Sequence, residues 1–183
     1  YHLSIPKAYI QLGRIDYIPD IIFWGMPQNI EMLNTLVMYL GGSEAAPVLG
    51  WWIGVLALIG ITDFTKNIFE KESAWATAAS LMAGSGLTTS ISSGYVEWAS
   101  ILYGASILIC LVYWQAREKK AALILAGIFA GMALGTKYTN GVILIAGAVI
   151  ILFSQKSPTF RKILANLLWF GGAALVTSIP WWV

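Results

Sequence analysis

Charge is scarce in this sequence. Only 11% of its 183 residues are Asp, Glu, Lys or Arg, against roughly 25% in soluble domains, and Glu97 is the one charged residue between Glu72 and Arg117. Apolar residues make up 58% and the mean hydropathy is +0.72. They come in runs near twenty residues, the length that crosses a hydrocarbon core about 30 Å thick. That excludes a soluble globular domain and implies a polytopic membrane protein. A single cysteine, Cys110, inside an apolar run, excludes an intrachain disulfide and a cysteine metal cluster. His2 is the only histidine. A Ser-His-Asp set or a histidine metal site would have to use it, and no serine or acid stands at motif spacing from it. No initiating Met or signal sequence precedes Tyr1, so the sequence reads as an internal stretch of a longer protein.

Residues 1–42 are the least membrane-like. Tyr1, Ile5, Ala8, Tyr9 and Leu12 recur at helical spacing, with Ser4 as a candidate cap, Pro6 in the first turn and Gly13 as a stop. Residues 14–27 hold Asp16, Pro19, Asp20, Gly25 and Pro27, which is loop chemistry. From Asn29, a second candidate cap, Ile30, Leu33, Val37 and Leu40 form an apolar stripe, while Glu31, Asn34 and Thr35 share the opposite face until Gly41-Gly42. Two amphipathic surface helices are expected.

The remaining residues, 43–183, read as a transmembrane helical domain with about six spans, at 45–62, 73–89, 95–114, 121–135, 141–153 and 163–182. The fourth and fifth are short, so their hairpin turns in or near the membrane. Taking the connections alternately, one side holds Lys66, Lys71, Arg117, Lys119, Lys120, Lys156, Arg161 and Lys162, and the other only Lys7, Arg14 and Lys137. The positive-inside rule puts the first set in the cytoplasm. The loop 1–42, the turn before Glu97 and the turn at Lys137 are therefore expected on the non-cytoplasmic face.

Two residues stand out for chemistry. Glu97 lies in the polar collar 88–98, near a helix end, where an acid costs far less than the roughly 2.5–3.5 kcal/mol of a mid-membrane carboxylate. It is either an interfacial acid facing headgroups or a functional group. Lys137, in Gly135-Thr136-Lys137-Tyr138-Thr139-Asn140, lacks the spacing of a nucleotide-binding P-loop, because Thr136 separates the glycine from the lysine. It suits either the phosphate of a lipid or simple snorkelling to headgroups. Gly127, Gly131 and Gly135 repeat every four residues, the pattern that lets helices approach closely.

Four segments together carry a family resemblance: Tyr1-His2-Leu3 with Pro6-Lys7 and Gly13; Ser93-Gly94-Tyr95-Val96-Glu97; Gly131-Met132-Ala133-Leu134-Gly135-Thr136-Lys137-Tyr138-Thr139; and Pro180-Trp181-Trp182. In this order they resemble a bacterial branch of the protein O-mannosyltransferase-like (dolichyl-phosphate-mannose-protein mannosyltransferase) superfamily of GT-C membrane glycosyltransferases. The resemblance implies an all-α polytopic membrane helix bundle of GT-C type, with amphipathic helices in the first extracytoplasmic loop. It implies a hexosyltransferase that moves a sugar from a polyprenyl-phosphate carrier to an acceptor hydroxyl on the non-cytoplasmic face, with inversion. In that family an essential Asp precedes an aromatic pair that Tyr1-His2 resembles, which places the main catalytic base just upstream of Tyr1. Glu97 then matches a second acid, usually Asp, that opens a later membrane helix. Lys137 and Tyr138 are expected at the carrier phosphate, and Tyr1, His2, Asp16, Asp20, Glu31 and Tyr95 at the substrates, with Asp16, Asp20 and Glu31 on a mobile outer loop. The implied partners are the lipid-linked sugar, an acceptor protein, lipid or glycan, and membrane lipids, with no nucleic acid. The implied setting is protein glycosylation or cell-envelope assembly at a bacterial plasma membrane. No cofactor is evident, and a divalent metal is left open. The alternative of another class is a transporter or lipid flippase without covalent chemistry, which calls for midplane charges, broken helices and an internal repeat.

Overall fold

The computed structural model describes residues 1–91, 93–154 and 159–182. Ser92 of the polar collar, and Lys156 among the cations expected in the cytoplasm, lie outside the described residues. Among those residues the chain is all helix, without strands. The α-helices are α1 (Ser4–Leu12), α2 (Asn29–Gly41), α3 (Ala45–Ile68), α4 (Lys71–Ala83), α5 (Ser85–Ser90), α6 (Glu97–Arg117), α7 (Lys120–Leu134), α8 (Gly141–Phe153) and α9 (Phe160–Ser178). Short 3-10 turns follow α7 at Tyr138–Asn140 and α9 at Ile179–Trp181.

Among the described residues, three helical stretches are long and apolar enough to cross a membrane: Ala45–Ile68, Glu97–Arg117 and Phe160–Trp181. Two shorter apolar ones, Lys120–Leu134 and Tyr138–Phe153, accompany them. This is a helical membrane bundle. The apolar run expected at 73–89 is divided between α4 and α5 at Gly84, where the backbone turns extended. With 13 residues, α4 reaches about 20 Å and does not cross a hydrocarbon core alone.

The chain forms two compact units, Tyr1–Leu102 and Tyr103–Val183. In the first, α1 packs on α2, α2 on α3, and α3 on α4. Gly13 ends α1 in a left-handed conformation (φ 64°) that favours glycine, its N–H donating to the Ile10 carbonyl. Neither expected cap holds its position. The first turn of α1 begins earlier than Ser4 implies, because the Tyr1 carbonyl already accepts from Ile5 N–H, and Leu3 stands at the cap. At α2 the cap position belongs to Gln28, not Asn29. The Gln28 side chain is committed elsewhere: its amide donates to the Trp24 carbonyl (2.5 Å) and its oxygen accepts from the Tyr9 hydroxyl (3.0 Å).

The buried side of α2 is mixed: Glu31 and Asn34 (0% and 2% exposed) turn in together with Ile30 and Met38, while Leu33, Leu36 and Leu40 are exposed, Leu40 at 75%. Apolar side chains turned outward are stable where the surroundings are lipid.

In the second unit α7 and α9 run in the same direction. Gly127 faces the Phe170 carbonyl and Ala173, and one turn on Gly131 faces the Ala174 carbonyl and Thr177, so close that a Cβ at either glycine would overlap α9. The Thr177 hydroxyl also reaches the Ile128 carbonyl of α7 (3.3 Å). The glycine repeat thus acts as a close-packing seam. Around it Ile107, Leu111, Trp114, Leu123, Ile151 and Phe170 form the apolar core. The connection from α6 to α7 is unusual: Glu118 adopts φ 50°, a left-handed conformation costing a residue with a Cβ roughly 1–2 kcal/mol. Its N–H donates to the Trp114 carbonyl (2.6 Å), closing α6.

Candidate functional site

In the first unit the centre of the polar cluster is the contact between His2 and Glu31. Gly13 ends α1 and Gly42 ends α2, leaving two short helices that pack on each other, α1 burying Ile5, Pro6 and Tyr9 and α2 burying Ile30, Glu31, Asn34 and Met38. His2, at the entry to α1, then meets Glu31 in the first turn of α2, with Nδ1 2.5 Å from Oε1. Both are buried, His2 at 8% exposure. Glu31 is therefore a fixed helical residue rather than part of a mobile loop. Above the pair is an aromatic layer. The Tyr1 ring lies 4.0 Å from the imidazole and 4.7 Å from the Phe23 ring, and Tyr95 meets the imidazole edge-on at 5.9 Å.

Tyr95 reaches His2 because Gly94 makes a left-handed turn (φ 69°) under Leu3, whose side chain would collide with a Cβ at that position. That same turn leads through buried Val96 into α6, so Glu97, half-buried, occupies the first turn of the helix. A carboxylate there interacts favourably with the helix dipole. Behind the dyad two buried atoms, Glu31 Oε2 and Asn34 Nδ2, have no hydrogen-bond partner among the described residues. A buried polar atom without a partner costs about 1–3 kcal/mol and calls for a polar group from elsewhere.

Asp16 and Asp20 stand apart from this cluster. Asp16 accepts from the Tyr17 N–H (2.8 Å) and pairs with Arg14 at the surface (2.7 Å), and Asp20 is exposed. In the second unit Lys137 follows α7 in extended backbone (φ −159°, ψ 128°). The Ala133 carbonyl collects the N–H groups of Thr136 and Lys137 (both 3.1 Å) and the buried Asn140 amide (2.9 Å), while the Thr136 hydroxyl donates to the Met132 carbonyl (2.9 Å). Lys137 is therefore presented, half-buried, by a fixed loop. Tyr138 packs its ring 5.6 Å from Trp182. Among the described residues no three of His, Cys, Asp and Glu cluster as metal ligands would.

Sequence reasoning missed Phe23, Gln28 and Asn140, each of which fixes a site residue or its helix. Only Asn140 had a local signal, an amide three residues after Lys137 in a Gly-Thr-rich turn.

Residues 28–183, the greater part of the chain, match the sequence model of the dolichyl-phosphate-mannose-protein mannosyltransferase family. The chain belongs to this family. It is accordingly a membrane glycosyltransferase of the GT-C mannosyltransferase-like superfamily, and such enzymes draw on a polyprenyl-phosphate-linked sugar. No curated protein and no solved structure matches the chain significantly. The family match includes Glu31, Tyr95, Glu97, Lys137 and Tyr138, and begins after His2.

Proposed function

We propose that this protein transfers a hexose from a polyprenyl-phosphate carrier to an acceptor hydroxyl on the non-cytoplasmic face of a bacterial plasma membrane, with inversion at the anomeric carbon. The acceptor oxygen attacks the anomeric carbon as the bond from that carbon to the phosphate oxygen breaks. The electron pair leaves with the phosphate, and a carboxylate takes the acceptor proton. The main base is an Asp upstream of Tyr1. Glu97 is the second acid, holding acceptor or sugar, and Lys137 with Tyr138 receives the carrier phosphate. Tyr1, His2, Glu31 and Tyr95 bind the sugar or acceptor, and Asp16 and Asp20 lie in the loop that admits it.

The observation carrying this reading is the buried His2–Glu31 contact under Tyr1 and Tyr95, two residues before Glu97. The aromatic faces of Tyr1 and Tyr95, both exposed, suit the apolar faces of a sugar. The test is transfer from a labelled polyprenyl-phosphate hexose by the full-length protein in sealed vesicles, with the product's anomeric configuration determined. Transfer with inversion, from carrier and acceptor both on the non-cytoplasmic side, is the expected result. Lipid movement without a new glycosidic bond would establish a flippase instead. Lys137→Met should raise the KM for the lipid donor roughly tenfold, the loss of one charge-assisted contact, with little change for the acceptor. An unchanged donor KM would remove Lys137 from the phosphate.

A further inference from the structure

At the end of the second unit remote from Lys137, separated from it by the whole length of α7 (about 22 Å), there is a cavity of about 250 Å³. Its lining includes Gln115 and Glu118 at the close of α6, Lys120 at the start of α7, and Lys162 and Asn166 in the first turns of α9, with Trp114 as an apolar wall. Trp114 and Asn166 form its buried floor, while Gln115, Glu118 and Lys120 stand exposed at its rim, so the cavity is a recess open to the surface. The Lys162 ammonium lies 3.3 and 3.4 Å from the two Glu118 oxygens. Lys120 reaches over the Trp169 ring at 5.7 Å.

Glu118 is the informative residue. The tight connection between α6 and α7 puts it in a left-handed conformation where glycine is the usual choice. A longer, charged residue is held there at a conformational cost, and its carboxylate points to Lys162 across the cavity mouth. Strained backbone of this kind gathers at binding sites. The lining carries two cations against one anion, and Arg117, Lys119 and Arg161 beside it add positive charge.

We infer that this recess binds the headgroup of an anionic phospholipid from the leaflet opposite the transfer site. Lys120 and Lys162 take the phosphate, the Gln115 carboxamide takes a headgroup hydroxyl, and Trp114 and Trp169 sit against the glycerol and upper acyl chain. Glu118 pairs with Lys162 when no lipid is bound and lowers the affinity for an anion, which must displace it.

The test is retention of phosphatidylglycerol by the full-length protein, titrated in phosphatidylcholine nanodiscs and read by native mass spectrometry, with phosphatidylethanolamine and inorganic phosphate as separate arms. Lys120→Gln and Lys162→Gln should each weaken retention about fivefold, the worth of one lysine near an anionic lipid. Glu118→Gly, which suits the turn and frees Lys162, should tighten it by a similar factor. Equal retention by wild type and both lysine variants would overturn the proposal. So would phosphatidylethanolamine held as tightly as phosphatidylglycerol, or inorganic phosphate bound as tightly as the lipid. The Glu118→Gly variant guards against misfolding, since looser binding there would count against the site with the helix connection relieved.

Discussion

Where α1 meets α2, the first unit buries a carboxylate, an imidazole and the carboxamides of Gln28 and Asn34, whereas between α7 and α9 the second buries a seam of glycine, alanine and a threonine hydroxyl. Lipid surroundings give helices little hydrophobic reason to associate, so cohesion comes from the close approach that small residues permit. The α7–α9 seam follows that rule. At the α1–α2 contact Glu31 Oε2 and Asn34 Nδ2 are buried without a partner among the described residues, at a cost of about 1–3 kcal/mol for each such atom. Those unpartnered polar atoms are the mark of chemistry in the first unit, and the close-packed small residues of the seam the mark of scaffold in the second.

The sharpest way to break this contrast is to enlarge the seam. Gly127→Val puts a branched side chain against the Phe170 carbonyl and should destabilise the protein by at least about 3 kcal/mol, the upper range for overpacking. The yield of monodisperse protein and its thermal unfolding in detergent report this. The control is Gly171→Ala on the same α9, where a Cβ meets nothing within 4 Å and unfolding should be unchanged or slightly raised.

Next in size is the dyad. Glu31→Ala leaves the buried His2 ring without its acceptor and should cost about 2–3 kcal/mol, while Glu31→Gln keeps an oxygen for Nδ1 and should cost about 1 kcal/mol. Thermal unfolding in detergent measures both, and equal losses would mean that packing rather than the hydrogen bond holds α1 to α2. At the small end, Arg14→Ala removes an exposed pair with Asp16 and should change stability by less than about 0.5 kcal/mol.

How far these features were legible in the sequence differs between the units. Apolar run length and glycine spacing located α3, α6, α7 and α9 and the seam, because both are local and periodic signals. The break between α4 and α5 was hidden, since Gly84 and Ser85 fall in a stretch of small residues that also holds Ser73, Thr77, Ser80, Thr88 and Thr89. Periodicity also put Glu31 on a polar side of α2, but did not show that it and Asn34 turn inward with Ile30 and Met38. That depends on whether lipid or water lies outside, so Glu31 read as an acid on a surface helix and not as the buried partner of His2. Their contact joins residues 29 apart in sequence, and nothing local announces it. The expected caps each stand one residue inside their helix, with Leu3 and Gln28 at the cap positions, and the Gln28 side chain bonds to Tyr9 in another helix.

The central claim is that Glu97, at the head of α6 and two residues after the Tyr95 that meets His2, serves the sugar transfer. Its most direct test is single-turnover transfer from a labelled polyprenyl-phosphate hexose by full-length wild type and Glu97→Gln, with thermal unfolding measured on the same samples. The account predicts at least a hundredfold loss of transfer, within the range for a positioned acid or base, at unchanged unfolding temperature. Full activity in the folded variant would contradict it and return Glu97 to an acid that merely faces the headgroups.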